Sequence, residues 1–144
     1  MMNLSLLTKQ VKDWLKADSN FDGFYIDRSV VVNEDAGRAV NGWIGIYRKG
    51  ADYAPGQLGV GPDNYDAEIE LMILVQRSAM ESGAACEDLL EADVQNLLSR
   101  MVLLPKTYVD HFSGILVDYT YNESDSKTLF FQGALITFSA EASS

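Results

Sequence analysis

Apolar residues recur along the chain with two distinct periods. Leu4, Leu7, Val11, Trp14 and Leu15 return at three- and four-residue steps, the signature of an amphipathic helix of about four turns. Asn3 or Ser5 is placed to cap its start, and Asp18-Ser19-Asn20 followed by Gly23 ends it. Strand-like runs follow at Phe24 to Val32 and Trp43 to Arg48. The clearest is Ala67 to Ser78, where Ile69, Leu71, Ile73 and Val75 alternate with Glu68, Glu70, Met72, Leu74 and Gln76. A second helix spans about Ala84 to Leu103, with Leu90, Val94, Leu97, Leu98 and Met101 on one stripe, acids in its first turns and Pro105 beyond its end. Ile115 to Tyr121 and Thr128 to Ala140 close the chain as an antiparallel hairpin across the polar turn 122–127.

The resulting order, α-β-β-β-α-β-β, predicts an α+β fold. Its sheet is mixed, largely antiparallel and about five-stranded, with two helices on one face. No repeat, linker or low-complexity stretch divides residues 1–144, so one domain is expected. Between the second and third strands, residues 50–66 hold two of the three prolines together with Tyr53, Leu58 and Val60. A connection of that length is usually functional or disordered; its apolar side chains suggest an arm that orders against a partner, with a floppy hairpin tip as the alternative. The last predicted strand is apolar on both sides, with Leu129, Phe131 and Leu135 opposing Phe130, Ala134, Ile136 and Phe138. Two helices cover one face of such a sheet. The surplus suggests that another subunit covers the second face, or that the long loop folds over it; the first makes Phe130, Ile136 and Phe138 interface candidates.

Composition narrows the function more than it defines it. The 144 residues are 47% hydrophobic and 22% charged, as in a soluble globular domain. One cysteine, Cys86, excludes an intrachain disulfide and a cysteine-based zinc site; one histidine, His111, excludes chemistry needing two. No apolar run reaches membrane-spanning length and no signal-peptide pattern opens the sequence, so assembly in the cytoplasm is expected. The net charge of −10 will not draw the chain to nucleic acid or to an anionic membrane.

The candidate chemical motifs are incomplete. Asp18, Asn20, Asp22 and Gly23 match the first half of a calcium loop, but the twelfth position is Ser29 and a strand follows where a helix is required. Gly56-Gln-Leu-Gly59-Val-Gly61 has the wrong spacing for a nucleotide loop. Glu68 and Glu70 lie roughly 6.5–7 Å apart on one strand face, the same side of any substrate, whereas glycoside hydrolysis needs carboxylates on opposite sides. Asp110, His111 and Ser113 have triad residue types without a nucleophile elbow. No catalytic, cofactor-binding or metal residue is expected.

With these elements in place, the chain resembles the tail terminator (tail completion) proteins of long-tailed bacteriophages, the group that includes the lambda minor tail protein U. The pattern is the N-terminal helix, the Trp43-Ile-Gly-Ile-Tyr-Arg48 strand, the long loop, the Glu68-Ile-Glu-Leu-Met-Ile-Leu-Val75 strand, a helix of about twenty residues and a hairpin ending in Leu135-Ile-Thr-Phe-Ser-Ala-Glu141. The resemblance implies a structural virion protein without cofactors. It implies a homo-oligomer, a hexameric ring, that caps the tail tube, ends its growth and joins it to the head. Its implied partners are the tail tube protein and a head–tail connector protein, and its implied location is the tail–head junction of the virion. DNA would pass through the ring without specific binding, with Glu68 and Glu70 as candidates for the lumen. The competing expectations are a head–tail connector or neck protein, and a small α+β enzyme or ligand-binding domain using the acidic strand face.

Overall fold

A computed structural model describes residues 3–28, 42–53, 66–79, 82–106, 108–109, 111–123 and 130–143, without the side chains at 66, 121–123, 130, 142 and 143. The element order is α1 (Leu4–Lys16), a 3-10 turn (Ser19–Phe21), β1 (Phe24–Asp27), β2 (Gly42–Tyr53), β3 (Asp66–Ala79), α2 (Gly83–Met101), β4 (His111–Glu123) and β5 (Phe130–Ser143). The strands form one sheet in the order β1-β2-β3-β5-β4. β1 runs parallel to β2, and every other pair is antiparallel. The expected α+β class and mixed five-stranded sheet are therefore observed.

Local chemistry explains the helix ends. Asn3 caps α1 by accepting from the Leu6 N–H at 3.1 Å, and Ser82 caps α2 by accepting from Ala85 at 3.0 Å. Each satisfies a donor that the first helical turn leaves open. Asp18 caps the 3-10 turn through the Asn20 N–H, and Gly23, at φ 82°, takes the left-handed bend into β1. At Gly42 the backbones crowd: a Cβ there would stand 2.9 Å from the Gln76 carbonyl and 2.9 Å from the Phe24 ring.

Both helices lie on one face of the sheet. α1 packs on β1 and β2, and α2 packs on β3 and β5. Leu7, Val11 and Leu15 of α1 and Leu90, Val94, Leu97 and Met101 of α2 join Ile44, Ile46, Ile73, Val75 and Ile136 in one continuous core. Register sets the shared face: Ile73 lies between Ile46 and Ile136, and Leu71 opposite Phe138. Ile136 and Phe138 are both 0% exposed. The expectation that they meet another subunit is corrected here, because their side of β5 is the side that α2 covers. The open face carries instead Met72, Leu74, Phe131, Leu135 and Thr137, all half-buried.

Strand boundaries also differ from those expected, and β5 runs past Ala140 to Ser143. β2 runs on to Tyr53 because it keeps pairing with β3 past an irregularity between Arg48 and Gly50 that interrupts the alternation. Residues 50–53 and 66 therefore belong to strands, and 54–65 lie outside the described residues. β4 starts at His111, ahead of a second irregularity between Phe112 and Gly114. β1 ends at Asp27, and Val30, Val31 and Val32 lie outside the described residues.

Candidate functional site

The open face of the sheet is the surface on which the sequence candidates can be placed. Glu68 is exposed and Glu70 half-buried, both on this face. Register adds what the sequence did not indicate. Glu68 stands directly opposite Asp52 on β2 and Glu141 on β5, and Glu141 stands opposite His111 on β4. Three carboxylates thus form a row across adjacent strands at one end of the sheet, where like charges directly opposite one another repel. Two contacts relieve the row at its margins: His111 Nε2 lies 3.2 Å from Glu141 Oε2, and Lys49 Nζ lies 3.3 Å from Glu70 Oε2. Beside it lies a shallow depression of about 450 Å³ lined by Gly50, Asp52, Glu68, Glu70, Ser113 and Ser139.

At the other end of the same face Tyr25, 49% exposed, stacks on Trp43 with centroids 6.2 Å apart and planes 12° from parallel. Trp43 is fully buried, and its indole N–H has no hydrogen-bond partner among the described residues. Between these two ends run the half-buried Met72, Leu74 and Leu135. The open face is therefore apolar in its middle and acidic at one end.

The remaining candidates separate. Tyr53 is half-buried at the end of β2 and packs against the core. Leu58 and Val60 lie outside the described residues, and Phe130 has its backbone in β5 with its side chain undescribed. Asp18 is engaged in capping and stands 3.9 Å from Arg100. Among the described residues no group of three or more His, Cys, Asp and Glu side chains is placed to hold a metal ion. His111 faces Glu141, and Asp110 lies outside the described residues. Cys86 is buried and donates to the Arg77 carbonyl at 3.3 Å; burial pushes its thiol above the ordinary range.

On the helix face, further polar links tie α2 to the sheet. Arg77 of β3 donates to both oxygens of Asp93, at 2.8 and 3.1 Å. Burial holds the Asp93 carboxyl above its ordinary value, with Arg77 acting in the opposite sense. Midway along α2, the Tyr119 hydroxyl of β4 donates to Glu91 at 2.7 Å. This bond holds the Glu91 carboxyl below its usual range and pushes the Tyr119 phenol up. A hollow of about 530 Å³ lined by Glu87, Leu90, Glu91, Tyr119 and Gln132 opens beside it.

Among the described residues, fold and surface define a two-helix, five-stranded α+β protein whose sheet has one face covered by the helices and no described element on the other. Among solved structures, the chain is similar in fold to a chain in the virion of a native gene transfer agent particle. The match covers 100% of both chains with a TM-score of 0.51 and 12% sequence identity. No family model matches the sequence. No curated protein matches it either. No helix among the described residues is long and apolar enough to cross a membrane.

Proposed function

We propose that this chain is a structural protein of a phage-like virion, and that it forms a ring which caps the tail tube, ends its growth and joins tail to head. The observation that carries the virion part of the reading is the fold match over the whole of both chains to a component of a gene transfer agent virion, and the tail-capping part rests on the resemblance of element order. The open sheet face, with Met72, Leu74 and Leu135 half-buried, supports it, since a protein built to pack against other copies keeps such surface available. The acidic row supports an assignment of Glu68, and of Glu70 beside it, to a lumen through which DNA passes. In this reading residues 54–65, with Leu58 and Val60, form the arm that meets the tube.

Two measurements test the proposal. Electron microscopy of the purified protein is expected to show rings. Removing the protein from an assembling phage is expected to give overlong tubes, and so is deleting residues 54–61. Tails of normal length that fail to join heads would favour a connector or neck protein instead.

A further inference from the structure

Among the described strands, β1 and β4 are the two edges of the sheet. β4 has 13 residues and so runs about 44 Å. It pairs with β5 along one side, and no strand among the described residues pairs along the other. Natural edge strands are usually blunted by lysine, proline or short length. His111–Glu123 contains no Lys, Arg or Pro. It exposes large apolar side chains on both faces: Ile115 (42%) and Tyr119 (55%) on the helix side, Leu116 (59%) on the open side.

We propose that β4 of one copy adds to the β1 edge of the next, so that the sheet continues from copy to copy in a head-to-tail join. This rests on the ring reading above and names the surface that builds the ring. Three observations select a second copy, and select its β1 edge.

The first is apolar complementarity. Leu6 and Tyr25, each 49% exposed, belong to α1 and β1 at the opposite end of the sheet. Their faces match those of β4. Tyr25 lies on the open face with Leu116, and Leu6 belongs to the helix covering the same side as Ile115 and Tyr119. Since β1 has only four residues, the neighbour's α1 supplies cover for the Ile115–Tyr119 stripe, which α2 leaves open.

The second is charge. α2 and β4 expose Glu87, Asp88, Glu91 and Asp118, while Arg100 is turned to Trp14 and Asp93 is paired with Arg77. A two-fold β4–β4 pairing would set this acidic side against itself. The stretch from α1 to Arg28 is balanced, four cations against four carboxylates, and exposes Lys9 and Lys16. It is the edge that an acidic neighbour approaches without net repulsion.

The third is strand direction. β4 runs opposite to β5, β5 to β3 and β3 to β2, while β1 runs with β2. β4 and β1 therefore point in opposite directions. Rotation about an axis along the strands preserves direction, so β4 meets the next copy's β1 as an antiparallel pair, the more stable ladder. Such a heterologous contact closes into a ring whenever its rotation closes.

Cross-linking of mixed single-cysteine variants tests the join. Leu116→Cys and Tyr25→Cys proteins are each checked for folding by circular dichroism, mixed at high concentration and treated with a flexible bis-maleimide; Cys86 is buried and serves as the unreactive control. The expected product is the mixed dimer, at least ten times more abundant than either self-linked dimer. Leu116→Lys is expected to lower the oligomeric fraction at least tenfold by native mass while leaving the melting temperature unchanged. Oligomers in which Leu116→Cys copies link only to one another would overturn the edge join and leave the ring reading standing. Oligomers unaffected by Leu116→Lys would do the same. A monomer at every concentration would overturn both.

Discussion

Trp14 and Arg100 close the C-terminal ends of each other's helices. The Trp14 indole N–H donates to the Arg100 carbonyl at 3.0 Å, and the Arg100 guanidinium donates through Nε and Nη2 to the Trp14 carbonyl at 3.2 and 3.0 Å. The guanidinium carbon also lies 3.6 Å from the centre of the indole ring. The guanidinium thus satisfies a carbonyl that the end of α1 leaves without an intrahelical partner, the indole adds a second donor to an Arg100 carbonyl that also accepts from the Leu103 N–H, and the cation sits where the helix dipole favours it. The latch holds α1 over the β1 side of the sheet and α2 over the β5 side as one layer.

Arg100→Ala is expected to cost about 2 kcal/mol. That is the order of a charge-assisted hydrogen bond with a partly solvated cation–π contact, discounted for the exposed part of the side chain. Trp14→Phe keeps the ring and removes one donor, so about 1 kcal/mol is expected. Urea denaturation of both single variants and the double variant measures the coupling. Additive losses would show that the two residues act independently.

Arg77 and Asp93 give a different outcome. Their side chains are 14% and 6% exposed, so removing one partner leaves a charge in a dry site. Asp93→Ala is expected to cost about 3–5 kcal/mol, whereas replacing both, as Arg77→Met with Asp93→Leu, is expected to be nearly neutral. The raised Asp93 carboxyl agrees with this, because it means that burial of the charge outweighs the attraction of Arg77. A double variant as unstable as Asp93→Ala would show that the ion pair itself holds α2 to β3.

Phe138→Ala is expected to destabilise the fold by about 3–5 kcal/mol, as a fully buried aromatic removed from a packed core does. Ile136→Asp is expected to unfold the protein, while Leu135→Asp on the open face is tolerated. Thermal denaturation of the three variants checks the assignment of faces.

That assignment also marks how far the sequence could be read. The helices, a cap candidate at Asn3 and the alternation of Ile69, Leu71, Ile73 and Val75 follow from local pattern, which needs no knowledge of neighbours; the Ser82 cap is not read from it. β5 carries apolar side chains on both sides, so its inner face depends on register with β3, a non-local fact that sets Ile136 against Ile73. The acidic row was hidden for the same reason. Asp52 lies beyond an irregularity in β2 and reads as loop, and Glu141 lies past the expected end of the last strand at Ala140, until pairing places both beside Glu68.

The Tyr119–Glu91 bond predicts a shifted titration. Glu91 titrates below its ordinary value of 4.5 chiefly because it accepts from Tyr119, with a second bond from Gln95. A depressed carboxylate contributes its stabilisation above the unfolded value and loses it as pH falls through the folded value. Tyr119→Phe is therefore expected to move the Glu91 midpoint upward, read by NMR of the carboxyl carbon. The wild-type contact between β4 and α2 is expected to loosen at low pH and the variant's to be indifferent. An unchanged Glu91 midpoint would mean that the hydrogen bond is not formed in solution.

The acidic row carries the last prediction, which joins stability to the proposed passage of DNA. Asp52, Glu68 and Glu141 stand on neighbouring strands, where directly opposite side chains lie about 5 Å apart and repel. Glu68→Gln removes the middle charge and is expected to stabilise the fold by about 0.5 kcal/mol in dilute buffer. The gain should vanish near 1 M salt, where the Debye length falls to about 3 Å. Keeping a row that costs stability calls for a use, and a lumen wall that phosphates do not grip is the use proposed here. Wild-type protein is accordingly expected to show no binding to duplex DNA at about 0.15 M salt. The variant with Asp52, Glu68 and Glu141 all replaced by Lys is expected to bind it, with an affinity that falls steeply as salt rises and releases counterions. In an assembled particle the same variant is expected to slow DNA release while leaving tail length normal. Tight, salt-sensitive binding by the wild type, or normal release from particles built with the lysine variant, would remove the row from the DNA path.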